Sequence, residues 1–359
     1  MSDAPSLPQP LRAESAGLAS ILRGIRSRAD AADQSGQWPA ADLHALAEIG
    51  AMRWALGREF GGDQLSPLEI HLRYEAIASA SLATALILSQ RDSAAGMIDG
   101  ADSESLRREL LPGLAANEIF STVGIAQLTT SRQGGPPALT AEPAGNGYRL
   151  EGLIPWATGA DHCDFLVAGA AIQTPSPAQI LFVLPTDLPG VTVEPPTPMV
   201  ALSASRTTSI RCTNVPLANR WILSGPKERA LAGRKKGLAI GQSFLAMGLC
   251  RSALDLIAAH DSDRARQMRQ RLGNQLDLLR ARVLLYAQAE SPDLLEGPRL
   301  RGACNDLAVR ITHSVVALYK GTALLTSHPA QRLAREAMFL LVWSCPDPVI
   351  DCTVELLGE

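Results

Sequence analysis

Trp156 and Thr158 are the residues of this chain best suited by type and spacing to hold a ligand. They lie in GYRLEGLIPWATGADHCDFLVAGA, Gly147 to Ala170, where a Pro-Trp-Ala-Thr-Gly corner separates the strand-like runs Tyr148–Leu150 and Phe165–Ala168. Gly152 and Gly159 supply turn chemistry on either side, and Pro155 stops a helix from running through. On an extended segment, side chains two positions apart share a face. That face offers an aromatic surface beside one hydroxyl, which suits a flat heteroaromatic ligand. A core aromatic followed by a turn residue would leave the same pattern. The six histidines are scattered, with His162 after the corner and His328 before the last predicted helix, and both fit structural roles. The sequence shows no metal-ligand spacing and neither a Gly-x-Ser-x-Gly motif nor a P-loop.

The elements that must position this corner follow from the hydrophobic pattern. A chain of 359 residues is long for one core and predicts two or three sub-domains. Apolar residues make up 46% against 4% aromatic, so Leu and Ala must carry the interior, which favours helix packing. The formal net charge of −3 gives no general pull toward nucleic acid or membranes. Residues 1–12 read as a disordered tail rather than a signal peptide. The apolar run Gly237–Cys250 is too short to span a bilayer, so a soluble, cytoplasmic protein is expected. The six cysteines form no CxxC or Cys/His cluster and read as reduced, mostly buried thiols.

Helical periodicity predicts helices from Ala13 to Asp33, from Ala40 or Ala41 to Ile49, over Pro67–Ser79 with Ser66 as N-cap, and over Leu82–Gln90. Gly61-Gly62 forces a tight turn between the second and third. From Asn117 to about Gly225 the pattern changes, and 12 of the 24 prolines fall there. Strands are predicted at Phe120–Gly124, Ala138–Ala141, Tyr148–Leu150, Phe165–Ala171, Ile180–Leu184, Val191–Val193 and Thr208–Arg211. Helices are predicted again at Gly237–His260, Arg264–Ala289, Leu300–Tyr319 and Pro329–Trp343, the last ended by Pro346 and Pro348. The expected fold is therefore α+β and multidomain. Its parts are a helical domain over 13–118, a β-barrel or sandwich over 119–225, and a four-helix bundle over 226–359.

The order Gly-Tyr-x-Leu-x-Gly, Trp-x-Thr-Gly and Ala-Asp-x-x-Asp-Phe-Leu-Val-Ala resembles the middle domain of the acyl-CoA dehydrogenase superfamily. The Gly61-Gly62 turn resembles that family's Glu-x-x-Gly-Gly-x-Gly loop, with Gln64 in place of the third glycine, and Val215-Pro216 resembles its closing strand. The resemblance covers nearly the whole chain. It implies that Trp156 stacks on the flavin ring of FAD and that the Thr158 hydroxyl bonds near flavin N5. Where the family has Thr-Glu-Pro-Gly-Ala-Gly-Ser-Asp, this chain has Val123 to Arg132. The resemblance there assigns Thr129, Thr130 and Ser131, beside Arg132, to the flavin and its pyrophosphate, for which hydroxyls and a guanidinium are good partners. A polar turn would read the same way.

Two departures from the family follow. A dehydrogenase needs a carboxylate to remove the α-proton, and the family's usual Glu position holds Ser344, next to Cys345 and after the Arg335-Glu336 pair. Tyr319-Lys-Gly-Thr322 lies too early and carries Lys, so it is rejected as that motif. The alternative Glu position falls near Leu238, with no carboxylate close by on that helix. Arg269-Gln-Arg-Leu-Gly273 is similar to the Arg-x-x-Phe-Gly loop that reaches a neighbouring subunit's FAD, but it stands so close to the next predicted helix that the usual segment is deleted. The stretch Lys227–Glu290 carries 12 Lys/Arg against 6 Asp/Glu, which reads as a solvated face or as a phosphate site. Three functions stay open. They are an FAD-dependent oxidoreductase acting on an acyl thioester or similar apolar small molecule, a reduced-flavin/O₂ monooxygenase of the same fold, and a non-catalytic scaffold. A homodimer or tetramer through the C-terminal helices is the implied assembly.

Overall fold

A computed structural model describes residues 15–128, 136–173, 176–231 and 240–358. Five helices come first: α1 (Ser15–Ser35), α2 (Ala40–Glu48), α3 (Pro67–Ala78), α4 (Leu82–Asp99) and α5 (Glu104–Ala115). Eight strands follow: β1 (Ser121–Gly124), β2 (Leu139–Pro143), β3 (Gly147–Ala157), β4 (Phe165–Ile172), β5 (Ala178–Pro185), β6 (Val191–Val193), β7 (Thr208–Ala218) and β8 (Ile222–Lys227). The chain closes with α6 (Gly241–Ala258), α7 (Asp263–Gln288), α8 (Glu296–Tyr319), α9 (Pro329–Val342) and α10 (Asp347–Gly358). The expected order of helices, sheet and helices is what the molecule has. The tail assigned to residues 1–12 lies outside the described residues.

Several boundaries move, each for a local reason. Five C-terminal helices are described where four were expected. Pro346 and Pro348 do not end the helical region: Pro348 sits in the first turn of α10, where its missing N–H costs nothing. Strand β3 runs on through Pro155 and Trp156 to Ala157, held by antiparallel pairing to β7 with register shifts between Leu150 and Gly152 and between Ile154 and Ala157. Proline is tolerated where a bulge releases the ladder. Helix α5 is set by its N-cap Ser103, which accepts from the Leu106 N–H, and strand β8 pairs with β5; neither was read from the sequence.

The sheet runs β6-β7-β3-β2-β4-β5-β8, with β1 joined to β4 in parallel. Its two faces have different partners, as period-2 alternation requires. Phe165, Val167, Leu181 and Val183 pack with Leu106, Leu111 and Leu114 of α5 and Ala94 and Ile98 of α4. Leu166, Ala168, Ile180 and Phe182 turn the other way, into a core shared with Leu150 and Ile154 of β3 and Ile210 and Val215 of β7. The helices before and after the sheet form one further core, in which Leu72, Ile77 and Leu86 meet Phe244, Leu249, Leu276, Ile311 and Leu333. Charge reinforces that junction. Arg280 of α7 donates to both carboxylate oxygens of Glu75 on α3, at 2.8 and 3.0 Å. Arg332 of α9 bonds Asp30 of α1 at 2.7 Å and its own Glu336 at 3.0 Å.

The Gly61-Gly62 turn has the predicted tightness. Gly61 has φ +84°, and a Cβ on Gly62 would collide with the Leu56 carbonyl. Gln64 takes φ +53°, the left-handed region that a glycine would occupy more easily.

His71 sits on α3 with its ring stacked on Phe244 of α6, the centroids 5.3 Å apart, and its Nδ1 is buried with no partner among the described residues. Burial pushes its pKa down from 6.5 to about 4. The unfolded chain therefore binds a proton across that window while the folded chain does not. Stability is full above pH 6.5 and falls as the pH drops toward 4, by up to about 3 kcal/mol. Urea melts of wild type and His71→Leu across this range should show a steeper acid loss in the wild type, and equal slopes would refute the assignment.

Candidate active site

The corner after β3 is shaped by one glycine. Sheet pairing ends at Ala157, Thr158 follows, and Gly159 adopts φ +62° before the short 3₁₀ turn Ala160–His162. A Cβ on Gly159 would overlap the ring of Trp38, so the backbone passes directly against that indole. Trp38, in the link between α1 and α2, stacks on His162 with centroids 4.5 Å apart and planes 12° apart, and meets Phe120 edge-on at 5.8 Å. His162 thus has a packing role, and burial lowers its pKa despite the neighbouring Asp161. Asp161 accepts from Arg206 at 2.7 Å, and Arg206 also donates to the Gly36 carbonyl at 3.3 Å. Asp164 accepts from the Phe120 N–H at 2.7 Å, which ties the start of β4 to the start of β1.

Within this frame Trp156 and Thr158 differ in exposure. The indole is 47% exposed while Thr158 is 9% exposed. The Thr158 hydroxyl lies 3.5 Å from that of Thr207, which is 2.8 Å from the hydroxyl of Ser205. Strand β1 passes close by, since a Cβ on Gly124 would touch Ile154 and Leu166 and come within 3.8 Å of the Trp156 carbonyl. On β1 the hydroxyls of Ser121 and Thr122 are buried with no hydrogen-bond partner among the described residues. Gln127 donates to the Gly124 and Gly169 carbonyls at 2.9 and 2.8 Å, leaving its own carbonyl oxygen with no partner among the described residues. Buried polar atoms in this state call for a partner. Thr129, Thr130, Ser131 and Arg132 lie outside the described residues, as does the segment around Leu238.

Toward the far end of the chain, Ser344 follows Trp343, the C-cap residue of α9. Ser344 has φ +50°, and Cys345 is buried with its sulfur 3.5 Å from an Arg301 nitrogen and 4.0 Å from that of Asn305. Burial raises the thiol pKa, with Arg301 and Asn305 pulling the other way. Glu336 is 2% exposed and bonded to Arg332; burial pushes its pKa up against the pull of that guanidinium. Arg269–Gly273 is not a loop. It forms the middle of α7, which is unbroken from Asp263 to Gln288. Arg269 and Gly273 line a surface groove of about 440 Å³ against α6, with Arg251, Asp255 and Asn274. Sequence reading missed Trp38, Ser205 and Thr207, although Thr207 lies in a run of hydroxyl residues before β7.

Helices enclosing a wrapped sheet on a shared core, with an indole–hydroxyl corner between them, define a three-part architecture. A family model for the acyl-CoA dehydrogenase N-terminal domain matches residues 21–118. A Bacillus subtilis protein named as a probable acyl-CoA dehydrogenase is 21% identical over 338 residues, covering 88% of this chain and 89% of that one. The mitochondrial short-chain specific acyl-CoA dehydrogenase of Bos taurus is 22% identical over 333 residues, 85% of this chain and 79% of its own. Butyryl-CoA dehydrogenase from Megasphaera elsdenii shares the fold with a TM-score of 0.85 at 18% identity, over 100% of both chains. A dibenzothiophene monooxygenase from Paenibacillus shares it at 0.79 and 16% identity, over 95% of each. Residues 21–118 thus match the acyl-CoA dehydrogenase N-terminal domain, and the chain as a whole has the fold of the acyl-CoA dehydrogenases.

Gly159→Ala should cost about 2–4 kcal/mol, from the left-handed backbone and the overlap with Trp38. In Trp38→Ala/Gly159→Ala the overlap is gone, so the two losses should sum to less than additivity. Denaturant melts of the single and double variants check this, and strict additivity would argue against the contact.

Proposed function

We propose that this protein is a flavin-dependent oxidoreductase of the acyl-CoA dehydrogenase type, taking FAD and acting on an acyl thioester or a similar apolar substrate. The observation that carries this reading is the half-exposed indole of Trp156 beside the Thr158 hydroxyl, on a chain of this fold. The residues present suit the ring of such a group. The indole offers a flat face, and Ser121, Thr122 and Gln127 have buried polar atoms with no partner among the described residues. Bound there, the flavin would supply a two-electron acceptor. The chain's own part is to stack on the ring through Trp156, donate to its edge through Thr158 and exclude water with the Trp38–His162 stack. Thr129, Thr130 and Ser131 are proposed for the pyrophosphate.

Ser344 favours a second reading. A serine hydroxyl is a poor proton acceptor at its ordinary pKa, and the raised pKa of Cys345 keeps its thiol protonated. A reduced-flavin/O₂ monooxygenase needs no α-proton base, and the Paenibacillus relative in fold is named as a monooxygenase. Titration with FAD, followed by its visible absorbance, tests both readings together. Trp156→Ala should weaken binding by about tenfold, the loss of one aromatic contact. No absorbance change with the wild type would leave the non-catalytic scaffold. Rapid mixing of the reduced complex with O₂ then separates the two enzymes: a flavin hydroperoxide absorbance marks the monooxygenase, and its absence marks the dehydrogenase type.

We also propose a homodimer or tetramer built on the C-terminal helices. Leu278 and Leu285, seven positions apart and so on one face of α7, are 71% and 68% exposed. Leu278→Asp/Leu285→Asp should shift the protein toward monomer in sedimentation velocity, with its melting behaviour retained.

A further inference from the structure

Thr158 does not stand alone. Its hydroxyl ends a row of three, running Ser205, Thr207, Thr158, with spacings of 2.8 and 3.5 Å. Ser205 is fully buried and Thr207 and Thr158 nearly so, each at 9% exposure. The turn that carries Ser205 is held by two left-handed residues, Leu202 and Arg206, and by the Arg206–Asp161 pair. The neighbouring Thr208 is excluded from the row because it donates to the Glu194 and Pro195 carbonyls at 2.7 and 2.9 Å.

We infer that Ser205 and Thr207 are positioning residues that fix the direction of the Thr158 hydroxyl, so that it presents its proton rather than its lone pairs to the ligand lying on Trp156. The direction follows from the closed end of the row. Each hydroxyl has one proton to give and can accept two. The only hydrogen-bond partner of the Ser205 hydroxyl among the described residues is Thr207, at 2.8 Å. If Thr207 donated to Ser205, the serine proton would be buried with no acceptor, and an unmade buried donor is costly. Ser205 therefore donates to Thr207, Thr207 donates to Thr158, and the Thr158 proton is left to point out of the row. A hydroxyl that itself accepts a hydrogen bond is a stronger donor. The 3.5 Å spacing is long for this kind of bond, and it leaves room for the row to tighten when an acceptor arrives. The atom opposite Thr158 must then be an acceptor, such as an unprotonated ring nitrogen.

This inference rests on the flavin reading above, and the test is built so that the two fail differently. Binding of FAD and of 5-deaza-FAD, in which the central-ring nitrogen is replaced by C–H, is measured by fluorescence titration for wild type, Thr158→Val and Thr207→Val. The ratio of the two dissociation constants isolates the hydrogen bond, because a purely structural disturbance moves both constants together. Wild type should prefer FAD by about tenfold, Thr158→Val should bring the ratio to about one, and Thr207→Val should lower it about threefold without touching the ligand. A wild-type ratio of one overturns the donor assignment while the flavin reading stands. A ratio that Thr207→Val leaves unchanged overturns the role of the row. Failure of the wild type to bind either compound overturns the inference and the flavin reading together.

Discussion

The close approach of the Gly159 backbone to the Trp38 indole is the constraint on which the corner depends. No other residue could pass there, because both the left-handed backbone and the absence of a side chain are needed at the same atom. The contact makes the first helical segment part of the corner, although Trp38 lies about 120 positions earlier in the chain. His162 and Phe120 hold the indole on two further sides. The corner is thus built from three separate stretches, and its shape is set by packing before any hydrogen bond is counted.

Packing also explains why the helices on either side of the sheet act as one body. Their apolar faces are interleaved in a common core, and neither set could bury its surface alone. The charged pairs placed across this junction are of a different kind from surface ion pairs. Glu75, Arg332 and Glu336 are largely buried, so removing one partner would strand a charge in a poor solvent. Such pairs discriminate against wrong alignments of the helices more than they add to net stability. Arg332 in particular joins α9 to α1, the last third of the chain to its beginning.

Much of this was legible in the sequence, and the limits have physical causes. The helices and strands followed from composition and periodicity, and β4 and β5, near-continuous apolar runs, pack their two faces on two different cores as strands buried on both sides must. The extension of β3 through Pro155 was not legible, because a bulge supplied by pairing with β7 overrode the local preference of proline. Helix α10 was missed because a proline ends a helix from behind but can begin one from in front, and only the neighbouring residues decide which. Trp156 and Thr158 could be singled out by type and spacing. Trp38 and Thr207 could not, since what matters about them is whom they touch across about 120 and 49 residues of chain, and Ser205 matters only through Thr207. The strip around Arg269 carried a familiar residue pattern, yet the backbone there is helical, its helix started by the N-cap Ser262, which accepts from the Ala265 N–H.

That uninterrupted α7 has a wider meaning. A loop projecting from the middle of this helix would have made each subunit a contributor to its neighbour's chemistry, and occupancy in one copy would then be felt by the next. Here residues 263–288 form one unbroken helix that carries Leu278 and Leu285 exposed on its flank. Copies that met along this helix would touch through its side chains, flank to flank, and not by an arm passed from one to the other.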